Sequence, residues 1–402
     1  MKKQLFLHYG GYVSSSIGAL VGVSLLSHIL PSAMYGMVAL YIAMATLFQY
    51  IVREALGNAL MRHALEIQRN KYIAFILIKK ACKPIIICYT SICLFSYFWI
   101  DYTSYTELIL SYILIFMLGC GVAGEAFLSA VLKRGAFAAH LNIIQWLRFP
   151  LGALCFSYFF QSTSSILFGF VLAFIIAAIY DLVVWGKLKQ PKETKKRGAE
   201  NFSIFKGYIP ILIGFFVWFT AFYDRLAIEK LYSEDLLGTY FVLIQVAYMP
   251  VIALMHSSAN FLFPLLYKQN EKVINSKTII IVSSILLTSW LFLQLSHQWL
   301  FSWLVGEEYR YYSWLVPWLF LAAVVNAVAY LFQAKFFQVH TMKTLLLIRG
   351  LSALMFFFTV TLLAGLYEIE GLVFANVLTS IFLMMLSYYF GRDEKLTQKQ
   401  NP

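Results

Sequence analysis

Two arginines stand in stretches that are otherwise almost wholly apolar, and arginine is the side chain best fitted to hold a phosphate there. Arg53 lies in LYIAMATLFQYIVREALGNAL, where Gln49, Arg53 and Gly57 recur at i, i+4 and i+8 and so share one face of a helix. Arg148 follows Gln145 and precedes Pro150, whose missing N–H frees a backbone carbonyl and permits a kink. A guanidinium stays charged and presents a planar fork of donors, so either position suits a phosphate. The plainer alternative is an ion pair between helices, Arg53 with Glu125 or Arg148 with Asp181. The two readings are compatible, because an anion that releases a cation from its internal partner couples binding to movement.

Glu54, Glu125 and Asp181 fall in similar surroundings and are candidates for ion coupling, since a carboxyl group kept from bulk water can exchange a proton as its surroundings change. Glu125 leads, because Gly119, Gly121 and Gly124 just before it would let another helix approach closely. Asp181 is near enough to a helix end to be simply solvated, and any of the three acids can instead pair with an arginine. Arg62 and Arg349 lie at the expected boundary of the apolar runs and read first as interfacial anchors; Arg62 can also gather an anionic head group at an entrance. His256 and Asn260, four residues apart, can contact a polar substrate or titrate, although a lone His on an apolar helix is commonly satisfied by a neighbour. There is no nucleotide-binding loop, zinc motif or nucleophile–base constellation, and Cys82, Cys88, Cys93, Cys120 and Cys155 lack ligand spacing. No catalytic residue, metal, cofactor or disulfide is expected.

The elements that carry these residues follow from composition. With 61% hydrophobic and 12% charged residues among 402, and a mean hydropathy of +0.75, the chain has too little polar surface to coat a water-soluble globule. Runs of roughly 20 apolar residues, the length that crosses about 30 Å of hydrocarbon, recur throughout. Twelve are expected, at Tyr9–Leu30, Gly36–Leu60, Ala81–Trp99, Leu108–Leu132, Phe137–Phe160, Ile166–Trp185, Tyr208–Ile228, Leu237–Phe261, Thr278–Leu300, Ser313–Ala334, Leu345–Leu366 and Leu372–Phe390. The first is expected to stay in place, having no small-residue cleavage pattern. A net charge of +12 raises the question of nucleic acid, but the cations sit in alternate loops, as in Lys79, Lys80, Lys83 and Lys187 to Lys206, while the opposite loops carry Asp101, Glu107, Glu234, Glu307 and Glu368. That alternation is the positive-inside pattern, and it puts both termini in the cytoplasm and excludes nucleic acid as a partner. Trp99, Trp299, Trp303, Trp314 and Trp318 fit the opposite interface.

An all-α polytopic membrane protein in two six-helix bundles is therefore expected, residues 1–186 and 207–391, joined by a basic cytoplasmic linker at 187–206 and followed by a tail at 392–402. The linker is a solvated, topology-setting loop or a site for anionic lipid heads. The halves share a faint repeat: ILPSAMYGMVAL resembles LYSEDLLGTYFVL, Ser32 and Gly36 standing where Ser233 and Gly238 stand, which places His256 and Asn260 opposite Arg53 and Gly57.

Three ordered segments carry a family resemblance. LLSHILPSAMYGMVALYIAMATLFQYIVREALGNALMRH, FYDRLAIEKLYSEDLLGTY with Asp224, Arg225 and Gly238, and LVGEEYRYYSWLVPWLFLAAVVNAV with Gly306, Glu307, Tyr309 and Pro317 resemble Wzx-type polysaccharide flippases of the MOP superfamily, which also contains the MATE exporters. The resemblance implies two bundles facing a central cavity in the bacterial inner membrane, moving undecaprenyl-diphosphate-linked oligosaccharide of the O-antigen or capsule kind to the periplasmic leaflet. It also implies membrane lipids as partners and admits a polysaccharide polymerase and a chain-length regulator. Two alternatives remain: a MATE-like small-molecule exporter, which would favour an acidic cavity, and a membrane-embedded polysaccharide polymerase or glycosyltransferase, which would need a larger outward loop than any here.

Overall fold

In hydrocarbon every backbone N–H and C=O must find its partner within the segment, so long apolar runs fold as helices. The computed structural model describes residues 2–69, 72–131, 133–159, 161–187, 209–255, 276–333, 336 and 342–398, and the regular elements among these are all helical. The order is α1 (Lys2–Ile29), α2 (Ser32–Val52), a π-helical turn (Arg53–Gly57), α3 (Asn58–Arg62), α4 (Ala64–Arg69), α5 (Tyr72–Trp99), α6 (Tyr105–Ala130), α7 (Arg134–Tyr158), α8 (Thr163–Gly186), α9 (Ile209–Leu231) and α10 (Glu234–Ala247). Then come α11 (Met249–Met255), α12 (Ser276–Leu304), two short 3₁₀ turns, α13 (Val316–Gln333) and α14 (Met342–Gln398). Each predicted span falls on one of these, the eighth only as far as Met255.

Seven described helices are long and apolar enough to cross a membrane, or eight if α10 and α11, bent by 42°, form one broken span. α14 counts once but holds two predicted spans, which meet at Tyr367 (φ −137°, ψ 18°) and Glu368 (φ 48°, ψ −127°). Polar residues dilute two others: Lys79, Lys80 and Lys83 in α5, and His140, Asn142, Gln145 and Arg148 in α7. Local caps set two helix starts. The Ser104 hydroxyl accepts from the Glu107 N–H at 3.2 Å, and Ser233 accepts from the Leu236 N–H at 3.3 Å.

Contacts divide the chain into two units, Met1–Leu26 with Met37–Trp218, and Ser27–Gly36 with Phe219–Pro402. The expected 187–206 linker lies, apart from Lys187, outside the described residues. In the first unit, glycines bring helices together. A Cβ on Gly169 would lie 2.5 Å from the Leu151 carbonyl and the Gly152 nitrogen, so α7 and α8 touch backbone to backbone. α7 runs through Pro150 without a break, and Phe149 is fully buried against Phe170. The beginning of α9 joins this unit through the Trp218 indole, which donates to the Ala43 carbonyl at 2.7 Å.

In the second unit the turn Ser27–Gly36 is held by Tyr309, whose hydroxyl donates to the Leu30 carbonyl at 2.9 Å and whose ring stands edge-on to Tyr35. Gly306 and Tyr309, singled out by resemblance, thus fall in the irregular stretch that braces this turn, and Pro317 lies in the first turn of α13.

Candidate functional site

The first unit holds the predicted charges on α2, α6, α7 and α8. α2 does not continue as a regular helix through Arg53: residues 53–57 form a π turn, and the Asn58 N–H bonds back to the Arg53 carbonyl. Gly57, the last residue of that turn, keeps to the side of Arg53, since a Cβ there would lie 3.8 Å from the Arg53 Cγ. The same Cβ would lie 3.7 Å from Ala126 on α6. Gln49 and Arg53 are half-buried. Glu54 is buried and accepts a hydrogen bond from the Asn58 amide at 2.7 Å, which explains it as a local brace.

Glu125 on α6, His140 on α7 and Asp181 on α8 converge. The His140 Nδ1 lies 2.9 Å from Asp181 Oδ2 and 3.0 Å from its Oδ1, while Nε2 stands 3.9 Å from Glu125 Oε1. Gly124 makes room for this: a Cβ there would lie 2.5 Å from Asp181 Oδ2 and 3.8 Å from His140 Cε1. The small-residue run read as a helix contact admits a carboxylate. Glu125 is also within electrostatic reach of Arg53.

The expected Arg148–Asp181 pair is corrected. Asp181 is taken by His140, and Arg148 donates to the Gln145 amide oxygen at 3.3 Å with its guanidinium 4.3 Å above the Phe149 ring. Glu125 likewise has His140 as its ion-pair partner. Arg349, expected as an interfacial anchor, is buried, its guanidinium 5.9 Å from the Tyr330 ring. Arg62 ends α3, and its side chain lies outside the described residues, as do His256 and Asn260.

A second polar cluster, in the second unit, was not among the candidates. Asp224 on α9 is 1% exposed and accepts from the Tyr240 hydroxyl at 2.5 Å and the Asn376 amide at 3.2 Å. Asn376 also donates to Tyr240 at 2.9 Å and to the Leu372 carbonyl at 3.0 Å. Arg225 is fully buried; its backbone N–H donates to Asp224 Oδ1 at 2.9 Å and its guanidinium lies 4.1 Å from the Phe222 ring. Beside the cluster a small pocket is lined by Thr220, Tyr248, Asn326, Asn376, Thr379, Ser380 and Leu383. The adjacent Asp-Arg in the apolar run of α9 was a signal available in the sequence; the lone asparagines of α13 and α14 were weaker ones. No group of three His, Cys, Asp or Glu among the described residues converges as metal ligands.

No family profile and no curated protein sequence matches this chain. Solved structures do. An outward-facing multidrug resistance MATE family transporter of the MOP superfamily superposes with a TM-score of 0.65 at 13% identity, over 98% of both chains. An inward-facing form of such a transporter gives 0.62 at 12% identity over 96% of both. A Pyrococcus furiosus MOP superfamily transporter, described as having a binding pocket of reverse polarity that suggests a different function, gives 0.64 at 12% identity over 98% of both. At these identities the likeness establishes the fold, an all-helical polytopic MATE-type architecture.

Proposed function

We propose that the chain is an alternating-access transporter that flips an undecaprenyl-diphosphate-linked oligosaccharide from the cytoplasmic to the periplasmic leaflet of a bacterial inner membrane. The observation that carries this reading is the placement of two permanent cations, Arg53 and Arg148, within apolar helices of one unit, Arg53 at a π turn beside Gln49 and Arg148 on an aromatic face beside Gln145. A charged side chain at membrane depth costs roughly 2.5–3.5 kcal/mol on an insertion scale, and an anionic substrate gives a reason to keep it. The two guanidiniums would take the diphosphate, half-buried Gln49 and Gln145 would contact phosphate or sugar, and the lipid tail would stay in the bilayer. The neighbour described by reverse pocket polarity supports the idea that this fold accommodates substrates of different charge.

A small-molecule exporter of the multidrug type is the second reading, favoured by the neighbours' descriptions and by buried Asp224, which suits a cation. The test is flipping of a fluorescent lipid-linked oligosaccharide in proteoliposomes containing the purified protein, beside efflux of a cationic dye. Flipping without dye efflux is expected. Dye efflux without flipping assigns the chain to the second reading.

A further inference from the structure

We propose that Glu125, His140 and Asp181 form a proton-binding site shared by three helices, filled when an anion occupies Arg53. The first step is geometric. His140 is 1% exposed, whereas the side chains of Glu125 and Asp181 are 17% and 20% exposed, so the two acids are the route by which a proton from water reaches the imidazole between them. A histidine kept only to tie α7 to α8 would need its Asp181 bond and nothing more. Here the opposite nitrogen, Nε2, is buried without a hydrogen-bond partner among the described residues and faces a carboxylate 3.9 Å away. That is a donor position completed when the imidazole is protonated.

The second step is charge. The charged and titratable groups around His140 are Glu125 from α6, Asp181 from α8 and, acting on Glu125, Arg53 from the π turn; Tyr180 adjoins Asp181. With both acids ionised and His140 neutral, these ionic groups sum to −1, Arg53 offsetting one of the two carboxylates. An anion on Arg53 cancels that offset and increases the negative excess around His140, so the imidazole takes up a proton at Nε2; when the anion leaves, the proton returns to water. By linkage the dependence is reciprocal, and protonation of the cluster strengthens anion binding. The inference rests on the reading of Arg53 as a phosphate site and adds the partner ion and the residues that hold it.

The experiment is isothermal titration of farnesyl diphosphate into the full-length protein in nanodiscs, at several pH values and in buffers of different ionisation enthalpy. Protonation of the ligand itself is common to all variants and cancels between them. Relative to His140→Gln, the wild type is expected to take up about one additional proton per ligand, with an affinity that falls up to about tenfold per pH unit. Glu125→Gln should lose that excess while keeping the Asp181–His140 bond, and it carries the test if the His140 variant fails to fold. Arg53→Ala should lose binding. Equal proton uptake in wild type and Glu125→Gln overturns the proton site and leaves the Arg53 reading standing. Undiminished binding by Arg53→Ala, or no binding by wild type, overturns the phosphate reading and the linkage with it.

Discussion

Gly36 and Gly238 stand back to back. An ideal Cβ on Gly36 would fall 3.0 Å from the Gly238 nitrogen and closer still to the Glu234 carbonyl oxygen; one on Gly238 would fall 3.0 Å from the Gly36 nitrogen and closer still to the Ser32 carbonyl. The contact is reciprocal, and the Ser32 hydroxyl adds a 2.6 Å bond to Asp235. These are the residues equated by the faint sequence repeat, so the two copies of that turn meet across a local pseudo-twofold relation. Any side chain at either glycine must displace backbone.

Gly36→Val or Gly238→Val is therefore expected to destabilise the protein by about 1–3 kcal/mol through overpacking. Thermal unfolding in detergent, followed by tryptophan fluorescence, measures it. Unchanged melting temperatures in both variants would mean that the close approach is absent in the folded protein.

Arg53→Ala and Arg148→Ala are expected to abolish polysaccharide export while the protein stays in the membrane. Lysine at either position keeps the charge but not the planar fork, so partial export is expected. Normal export by both alanine variants at normal abundance makes these arginines structural.

Asp224→Ala should cost about 3–5 kcal/mol, because it leaves the buried Tyr240 hydroxyl and the Asn376 amide without their shared acceptor. Tyr240→Phe removes one donor and should cost about 0.5–1.5 kcal/mol. Their melting temperatures should rank in that order below wild type; the reverse order would contradict the assignment of Asp224 as the hub.

Glu368 holds a positive φ that glycine adopts without steric cost. Glu368→Gly is expected to raise stability by up to about 1–3 kcal/mol, less what the unfolded chain gains in freedom. A lower melting temperature would show that the Glu368 side chain contributes more than its backbone costs.

Cysteines introduced singly at Thr194, Ser104 and Glu307 of a cysteine-free chain report topology. An impermeant thiol reagent should label positions 104 and 307 in intact spheroplasts and spare 194. Labelling of 194 inverts the proposed orientation.

The sequence by itself determined the membrane class, the positions of the helices and the likeness of the two repeat turns, whereas their meeting was decided by the tertiary structure. Each depends on contiguous residues: an apolar run of sufficient length must close its own hydrogen bonds, and a Ser-to-Gly turn ahead of a helix is a local signal. The break inside α14 was legible for the same reason, because the polar interval around Glu368 and Glu370 interrupts the run. Which charges face one another was decided by the tertiary structure alone. Asp181 meets His140 where Gly124 leaves room on α6 for the carboxylate, and Asp224 finds Asn376 from 152 residues away. Helix formation is settled within a segment, whereas the pairing of buried charges depends on how neighbouring helices rotate and on the gaps their smallest residues leave.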